Sequence, residues 1–257
     1  NLPAARCHRW STPCTQVAGG KTCLTGLMKL LVAQAPDTQF VELFAGSAAV
    51  SLRLGLTNVL LNDVNPILIG FHYALASGTL INAPPLVVDA TAFGLLRQEF
   101  NERIAQGDYC SPRQAQLLYA LNKSAFNGLY RVNSSGLFNV PWNKRQHQLE
   151  FGLLSRYWPL MSRWGYLNQD FSQVALPHGA LVFADPPYVE TFDGYSPGGF
   201  NAYRQTELAD ILAQHDGPVI ATNSAVPDVV NLYQKRGFDV VVAKTPRCIA
   251  AKASSRT

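Results

Sequence analysis

Residues 181–188 read Leu-Val-Phe-Ala-Asp-Pro-Pro-Tyr. The apolar run Leu181 to Ala184 has the composition of a short buried strand. Asp185 then falls at its C-terminal end, where open α/β sheets hold their ligands. Two consecutive prolines, Pro186 and Pro187, fix φ and remove two backbone donors. The Pro186 carbonyl is thereby kept out of regular structure and can face a cleft, and Tyr188 adds a flat aromatic face. A carboxylate, a carbonyl and an aromatic plane at one strand end suit a planar ring bearing an exocyclic amine. Asp-Pro-Pro is also a common turn that simply ends a strand, so the motif takes its weight from the rest of the chain.

Three further acids fall at strand ends. Glu42 lies just before the loop Ala45-Gly46-Ser47, where an apolar strand gives way to a helix. Small residues there let the backbone approach a ligand, and a helix N-terminus favours polar or anionic groups. A close strand–helix turn without a ligand has the same composition. Asp63 closes the next strand, about 20 residues on, the separation at which dinucleotide folds place a ribose-binding acid. Asp170 closes a third strand and is able to accept a bond from an adenine amine, and Phe171 beside it is able to cover a ring. Together the three acids outline an adenosine-sized site. The phosphate fingerprint Gly-x-Gly-x-x-Gly is absent, which disfavours a nicotinamide dinucleotide.

These residues need a sheet to carry them. Strands are expected at 39–44, 58–62, 166–170, 180–184, 218–222 and 238–243, and helices at 22–35, 48–54, 65–76, 204–214 and 227–236. Alternation of this kind argues for a parallel sheet. Residues 1–16 read as irregular, and 189–203 as a Gly-rich, aromatic loop. The rhythm breaks at about 90–165, where helices 91–106 and 112–125 lead into a β-hairpin over 126–141 with turn chemistry at Asn133 to Gly136. The expected organisation is a catalytic domain of 17–89 and 166–257 with an inserted second domain, 90–165.

Composition narrows the class. Hydrophobic residues make up 47% and charged residues 15% of 257, which supports a sizeable core and argues against disorder. A formal charge of +4 suits a polyanionic partner without requiring one. No apolar run approaches the ~20 residues of a membrane span, and no basic-then-apolar signal pattern opens the sequence. The five cysteines form no Cys-x-x-Cys pair and the five histidines show no ligand spacing, so neither a zinc site nor a disulfide framework is expected. The expected setting is a reducing cytosol.

The chain resembles the Dam-type (D12 class) DNA N6-adenine methyltransferases over about Ala18 to Arg256. Ala18-Gly-Gly-Lys21 resembles the N-terminal cofactor motif, and Phe40-Val-Glu-Leu-Phe-Ala-Gly46 the first strand and loop. Leu61-Asn-Asp-Val-Asn-Pro66 resembles the ribose-binding strand end, Asn122 to Pro141 the target-recognition hairpin, and Asp185-Pro-Pro-Tyr188 the catalytic motif. Ile249 to Arg256 resembles the C-terminal strand and turn. The resemblance implies a Rossmann-like α/β fold dependent on S-adenosylmethionine, with a mostly helical target-recognition insertion that carries the hairpin. It implies that Lys21 and Asp63 bind the cofactor, that Glu42, Ala45 and Gly46 line its pocket, and that Asp170 with Phe171 meets its adenine. Asp185, Pro186, Pro187 and Tyr188 would hold the target base. On the DNA side, Phe126 would wedge into the base stack, and Asn127, Leu129, Arg131 and Asn133 would read or support the flanking pairs. The implied substrate is an adenine of duplex DNA, with GATC as the expected site. The implied state is a monomer in the cytoplasm of a bacterial or phage-infected cell, and any cognate restriction endonuclease would be a separate chain.

The match has departures. The family's usual Lys-Trp before Ala-Gly-Gly-Lys is replaced by Gln16 and Val17, which puts cofactor affinity and first-base selectivity in question. Ala48 stands where a second glycine is common, and Pro141-Trp-Asn-Lys-Arg145 replaces Pro-Phe-Gly-(Arg/Lys)-Tyr. Two other readings stand beside the first: a DNA-binding relative that has lost catalysis, and a methylase of another amine or amide in RNA or protein. Asp rather than Asn at 185 disfavours the latter.

Overall fold

Apolar runs that end in acids fold here as short parallel strands. The computed structural model describes residues 37–187 and 200–242, the backbone of Trp10–Thr12, and positions 29 and 32. The described residues form two compact units, one running to Leu54 and resuming at Asp170, the other spanning Gly55–Gln169.

In the first unit, β1 (Trp10–Thr12), β2 (Phe40–Glu42), β7 (Leu181–Ala184), β8 (Val219–Thr222) and β9 (Asp239–Val240) lie in the order β2-β7-β8-β1-β9. Every pairing among them is parallel. All four residues of both β7 and β8 are buried. Strands covered on both faces carry no polar alternation, which is why they read as continuous apolar runs. Register fixes which strand ends meet: Glu42 lies opposite Phe183, and Ala184 opposite Ala221. Three helices belong to this unit: α1 (Ala49–Leu54), α6 (Ala202–Gln214) and α7 (Pro227–Gln234). Asn201 caps α6 by accepting from Arg204 N at 3.0 Å. Tyr233 of α7 is fully buried, and its hydroxyl accepts from Gln205 Nε2 at 3.1 Å. Burial drives the Tyr233 pKa far above its ordinary value, so it stays a neutral phenol.

In the second unit, β3 (Val59–Asn62) pairs in parallel with β6 (Gly165–Leu167), and β4 (Leu86–Val88) pairs antiparallel with β5 (His147–Leu149). Its helices are α2 (Pro66–Ala76), α3 (Ala90–Ala105), α4 (Pro112–Ser124) and the single turn α5 (Trp158–Met161). Each long helix opens on a side-chain cap. Asn65 accepts from Ile67 N, Asp89 from Ala92 N, and Ser111 from Gln114 N. Pro66 and Pro112 occupy first-turn positions that need no donor. Val88, Phe93, Phe100, Leu117, Leu121, Phe138, Val140 and Leu149 share one core, so the hairpin segment packs against α3 and α4.

Helix expectations agree with the structure within two residues in the described segments. Three expectations need correction. The strand expected at 166–170 is Gly165–Leu167, so Asp170 does not close it but opens the 3-10 turn that follows. Residues 1–16 are not wholly irregular, because Trp10–Thr12 forms β1, with Trp10 opposite Ile220 and Thr12 opposite Thr222. The hairpin is not a continuous ladder: it has two isolated antiparallel bridges, Ala125 with Trp142 and Val132 with Phe138. Main-chain bonds from Asn133 N to Leu137 O and from Asn139 N to Arg131 O join its arms, and side chains add to them. Asn133 Oδ1 accepts from Ser135 N and Leu137 N, closing the turn. Asn101 of α3 both donates to Phe138 O and accepts from Phe138 N, an amide pair that substitutes for a neighbouring strand.

Candidate functional site

At the C-terminal end of β7 the chain leaves the sheet as Asp185, Pro186 and Pro187. Asp185 is partly exposed, Pro186 buried and Pro187 exposed. Thr222, the last residue of β8, is fully buried and donates its hydroxyl to Asp185 Oδ1. Parallel pairing of β7 with β8 creates this contact, by bringing the residue after Ala184 level with the residue after Ala221. The carboxylate is thus held in one orientation at the sheet end.

The loop after β2 opens on the same end. Leu43 N donates to Phe183 O at 2.9 Å, which continues the pairing one residue past Glu42. Glu42 is 1% exposed, and its Oε2 accepts from Ser51 Oγ at 2.5 Å and Ser51 N at 3.3 Å. A carboxylate at the first turn of a helix meets unpaired N–H groups and the positive end of the helix dipole. Glu42 therefore ties β2 to α1 and shapes the intervening loop. Gly46 takes φ +50 with nothing within 4 Å of the place a Cβ would occupy, so space is open beside it. Ala45 is buried.

Ala48 takes φ 53. The left-handed region costs a residue with a Cβ about 1–2 kcal/mol, so the alanine at this family glycine position is strained. Ala48→Gly is expected to raise stability by about 0.5–1 kcal/mol, once glycine's larger unfolded-state entropy is subtracted. Denaturant unfolding of the two proteins checks this. A lower midpoint for the glycine variant would show that packing of the buried methyl outweighs the strain.

Asp170 and Phe171 lie at the start of a 3-10 turn, Phe171–Gln173. Asp170 Oδ1 accepts from Ser172 N at 3.0 Å, from Ser172 Oγ at 2.6 Å and from Arg204 Nη2. Burial alone would raise the Asp170 pKa. The Ser172 bonds and the Arg204 guanidinium outweigh it and hold the pKa below the usual carboxylate value. Phe171 is buried and packs 5.5 Å from both Phe44 and Phe200, ring centre to ring centre. Phe44 lies two residues past the β2 end, so this aromatic group joins the Ala45–Gly46 loop to Asp170.

The remaining described candidates belong to the second unit. Asp63 follows β3 and accepts from Asn65 N at 2.9 Å, an Asx turn that feeds α2. Phe126 and Leu129 are 46% and 48% exposed, large apolar side chains left in water. Asn127 takes φ 54, a conformation Asn tolerates well. Arg131 Nε donates to Asn139 Oδ1 at 2.9 Å, and neither terminal nitrogen has a partner among the described residues. Asn133 is committed to its own turn. Burial raises the pKa of Tyr130, which packs in the hairpin beside Phe138.

Lys21, Tyr188, Gln16, Val17 and the 249–256 segment lie outside the described residues, as do most of 189–203 and all of the expected helix 22–35 but positions 29 and 32. Within the first unit the fold brings together Glu42, Ala45, Gly46, Asp170, Phe171 and Asp185, while Asp63 and the hairpin residues lie in the other unit. Thr222, Ser51, Phe44, Phe200 and Arg204 were not singled out from the sequence. Phe44 sat in view beside the loop, but the other four carry no local signal.

The profile of the D12 class N6 adenine-specific DNA methyltransferases matches residues 18–248. Among curated proteins, the chain is 30% identical to the retron Ec67 DNA adenine methylase of Escherichia coli, covering 92% of this chain and 85% of that protein. It is 31% identical to the DNA N-6-adenine-methyltransferase of Escherichia phage P1, covering 93% of this chain but 33% of that protein. Against the DNA adenine methylase of Escherichia coli strain K12 the identity is 28%, over 84% of this chain and 82% of the relative.

Proposed function

Since the chain belongs to the D12 class N6 adenine-specific DNA methyltransferases, we propose that it transfers a methyl group from S-adenosylmethionine to N6 of an adenine flipped out of duplex DNA, with GATC as its site. The observation that carries this reading is Asp185, oriented by Thr222 at the sheet end beside the Pro186 carbonyl. The residues present fit the cofactor. Asp170 Oδ2 accepts no bond among the described residues and is available to an exocyclic amine, and no atom lies within 4 Å of where a Gly46 Cβ would stand. Glu42, Ala45, Gly46 and Phe171 would surround the same group, with Asp63 and Lys21 as further ligands.

S-adenosylmethionine supplies a methyl carbon activated by a sulfonium leaving group. The residues of this chain do the rest. An adenine stacked in a duplex is out of reach, and flipping exposes it. Phe126 would fill the gap left in the stack. Tyr188 would lie on the extruded ring, where a base–aromatic stack contributes about 1–3 kcal/mol. The N6 lone pair is delocalised into the ring. Bonds from N6–H to Asp185 and to the Pro186 carbonyl localise it toward the methyl carbon. Asp185 and the Pro186 carbonyl would hold N6 as it turns positive and acidic on accepting the methyl group, and its proton would then leave without a strong base. Catalysis is then mainly positioning and electrostatic stabilisation.

In the hairpin, Arg131 would use its two terminal nitrogens on guanine O6 and N7, a bidentate contact worth about 1–3 kcal/mol of discrimination. Asn127 and Leu129 would support the flanking pairs, and Asn133 would hold the turn. Residues 90–165 would serve as the target-recognition domain. The enzyme would act as a monomer in the cytoplasm of a bacterial or phage-infected cell, with any cognate endonuclease a separate chain. Arg131→Ala is expected to lose about tenfold or more of its preference for one flanking base pair. Methylation rates on a panel of single-substituted duplexes read this directly, and equal loss on every sequence would make Arg131 a phosphate contact instead.

Transfer of radiolabelled methyl to unmethylated duplex DNA, followed by mapping of N6-methyladenine, tests the whole reading. Label at GATC alone supports both chemistry and site. Label spread over related sites supports the chemistry and assigns relaxed recognition to Gln16, Val17 and the altered hairpin flank. A folded protein that transfers no label would favour the DNA-binding relative, for which the strained Ala48 in the cofactor loop is the supporting observation.

A further inference from the structure

Arg204, in the first turn of α6, makes three contacts with one planar group. Its Nη2 bonds Asp170 Oδ1 and its Nη1 bonds Glu207 Oε2. Its Cζ lies 4.2 Å from the centre of the Phe171 ring. The main-chain N of the same residue donates to Asn201 Oδ1 at 3.0 Å, so the helix cap fixes where the side chain begins. A partly exposed ion pair contributes little to stability by itself. What this arrangement supplies is orientation. A guanidinium fork holds two carboxylates while its face lies on an aromatic ring, a combination that lysine cannot reproduce.

The bonds on Asp170 are lopsided. Ser172 N, Ser172 Oγ and Arg204 all converge on Oδ1, and Oδ2 accepts nothing among the described residues. Three donors on one oxygen stop the carboxylate from turning, and the paired guanidinium favours its ionised form. Phe171, packed against Phe44 and Phe200, is fixed by the same guanidinium.

We infer that Arg204 is the positioning residue of the cofactor's adenine subsite, turning Asp170 so that Oδ2 receives the exocyclic amine and locking Phe171 beside it. The inference rests on the S-adenosylmethionine site proposed above. It makes Arg204 a determinant of selectivity for a 6-amino purine. A 6-oxo purine would set a carbonyl oxygen against Oδ2, and acceptor facing acceptor is repulsive.

The test is calorimetric titration of the parent, Arg204→Met and Arg204→Lys with S-adenosylhomocysteine and S-inosylhomocysteine, with circular dichroism melts of each protein. The parent is expected to prefer the adenosyl ligand by at least about tenfold. Arg204→Met keeps a long side chain on Phe171 but loses the fork. It should bind the adenosyl ligand about tenfold more weakly and the inosyl ligand within about twofold of the parent, so that the preference collapses. Arg204→Lys should fall between the two. Equal weakening of both ligands in Arg204→Met would mark a merely structural residue and overturn the inference, as would a preference that survives in both variants. Should Arg204→Met not fold, an undiminished preference in Arg204→Lys overturns it equally. A parent protein that binds neither ligand would overturn the cofactor site itself, a failure distinct from that of Arg204 alone.

Discussion

Replacing Asp185 by alanine is expected to lower methyl transfer by about 10³-fold while leaving duplex affinity within a few-fold. The size follows from what is removed. A fixed acceptor aimed at charge that develops on the reacting nitrogen is worth about 10²–10³ in rate, and the proposed hairpin contacts to DNA do not involve it. The substitution also leaves the fully buried Thr222 hydroxyl without the carboxylate it donates to. A buried donor left unsatisfied costs about 1–3 kcal/mol, so Asp185→Ala should melt somewhat lower than the parent. Adding Thr222→Val removes that donor, and the double variant should recover stability without recovering turnover. Single-turnover methylation, duplex binding and thermal melts on the three proteins read these effects separately. Turnover within tenfold of the parent in Asp185→Ala would remove this carboxylate from the chemistry.

Gly217→Ala is expected to destabilise the fold by about 3 kcal/mol, or roughly 10 °C in Tm. A methyl group at this position would lie 2.2 Å from Ala180 O, 2.6 Å from His215 Nε2 and 2.7 Å from Gly179 C. Two of these atoms are backbone immediately before β7, so no rotamer change relieves the overlap. The third belongs to a ring already bonded to Ala180 O at 2.7 Å. The chain must therefore move apart at the point where β7 and β8 begin their pairing, Val182 with Val219. A thermal melt within 2 °C of the parent would show that the chain at Gly217 yields to a methyl group at little cost.

The parallel strands and the strand end that carries Asp185 were legible because burial on both faces leaves a simple trace, a continuous apolar run closed by an acid. The first helix turns were legible for a related reason: Asn65-Pro66 and Ser111-Pro112 are capping chemistry written in adjacent residues. Strand β1 was not legible. Trp10-Ser11-Thr12 is three residues long, and its place between β8 and β9 comes from long-range pairing rather than local preference. Thr222 shows the same limit. Its value lies in a register between two strands, and nothing near it in the chain states that register. Arg204 resembled any charge on an exposed helix face, and only long-range packing brings Asp170 and Phe171 to it. The sign of φ at Ala48 was likewise hidden, since alanine is ordinary in a helix start and unusual only in the conformation it takes here.

The hairpin segregates its anchors from its exposed tips. Phe138 and Val140 are buried in the core, Asn101 grips the Phe138 main chain, and Asn133 closes the turn on itself. Phe126, Leu129 and Arg131 project from the same segment into solvent. Sequence change at these three positions is therefore nearly free of folding consequences, whereas the anchors tolerate little. Under the DNA-reading role proposed for this hairpin, a lineage can wander in which DNA word it marks while its scaffold stays still, and a laboratory library confined to positions 126, 129 and 131 would explore that vocabulary with most of its members folded.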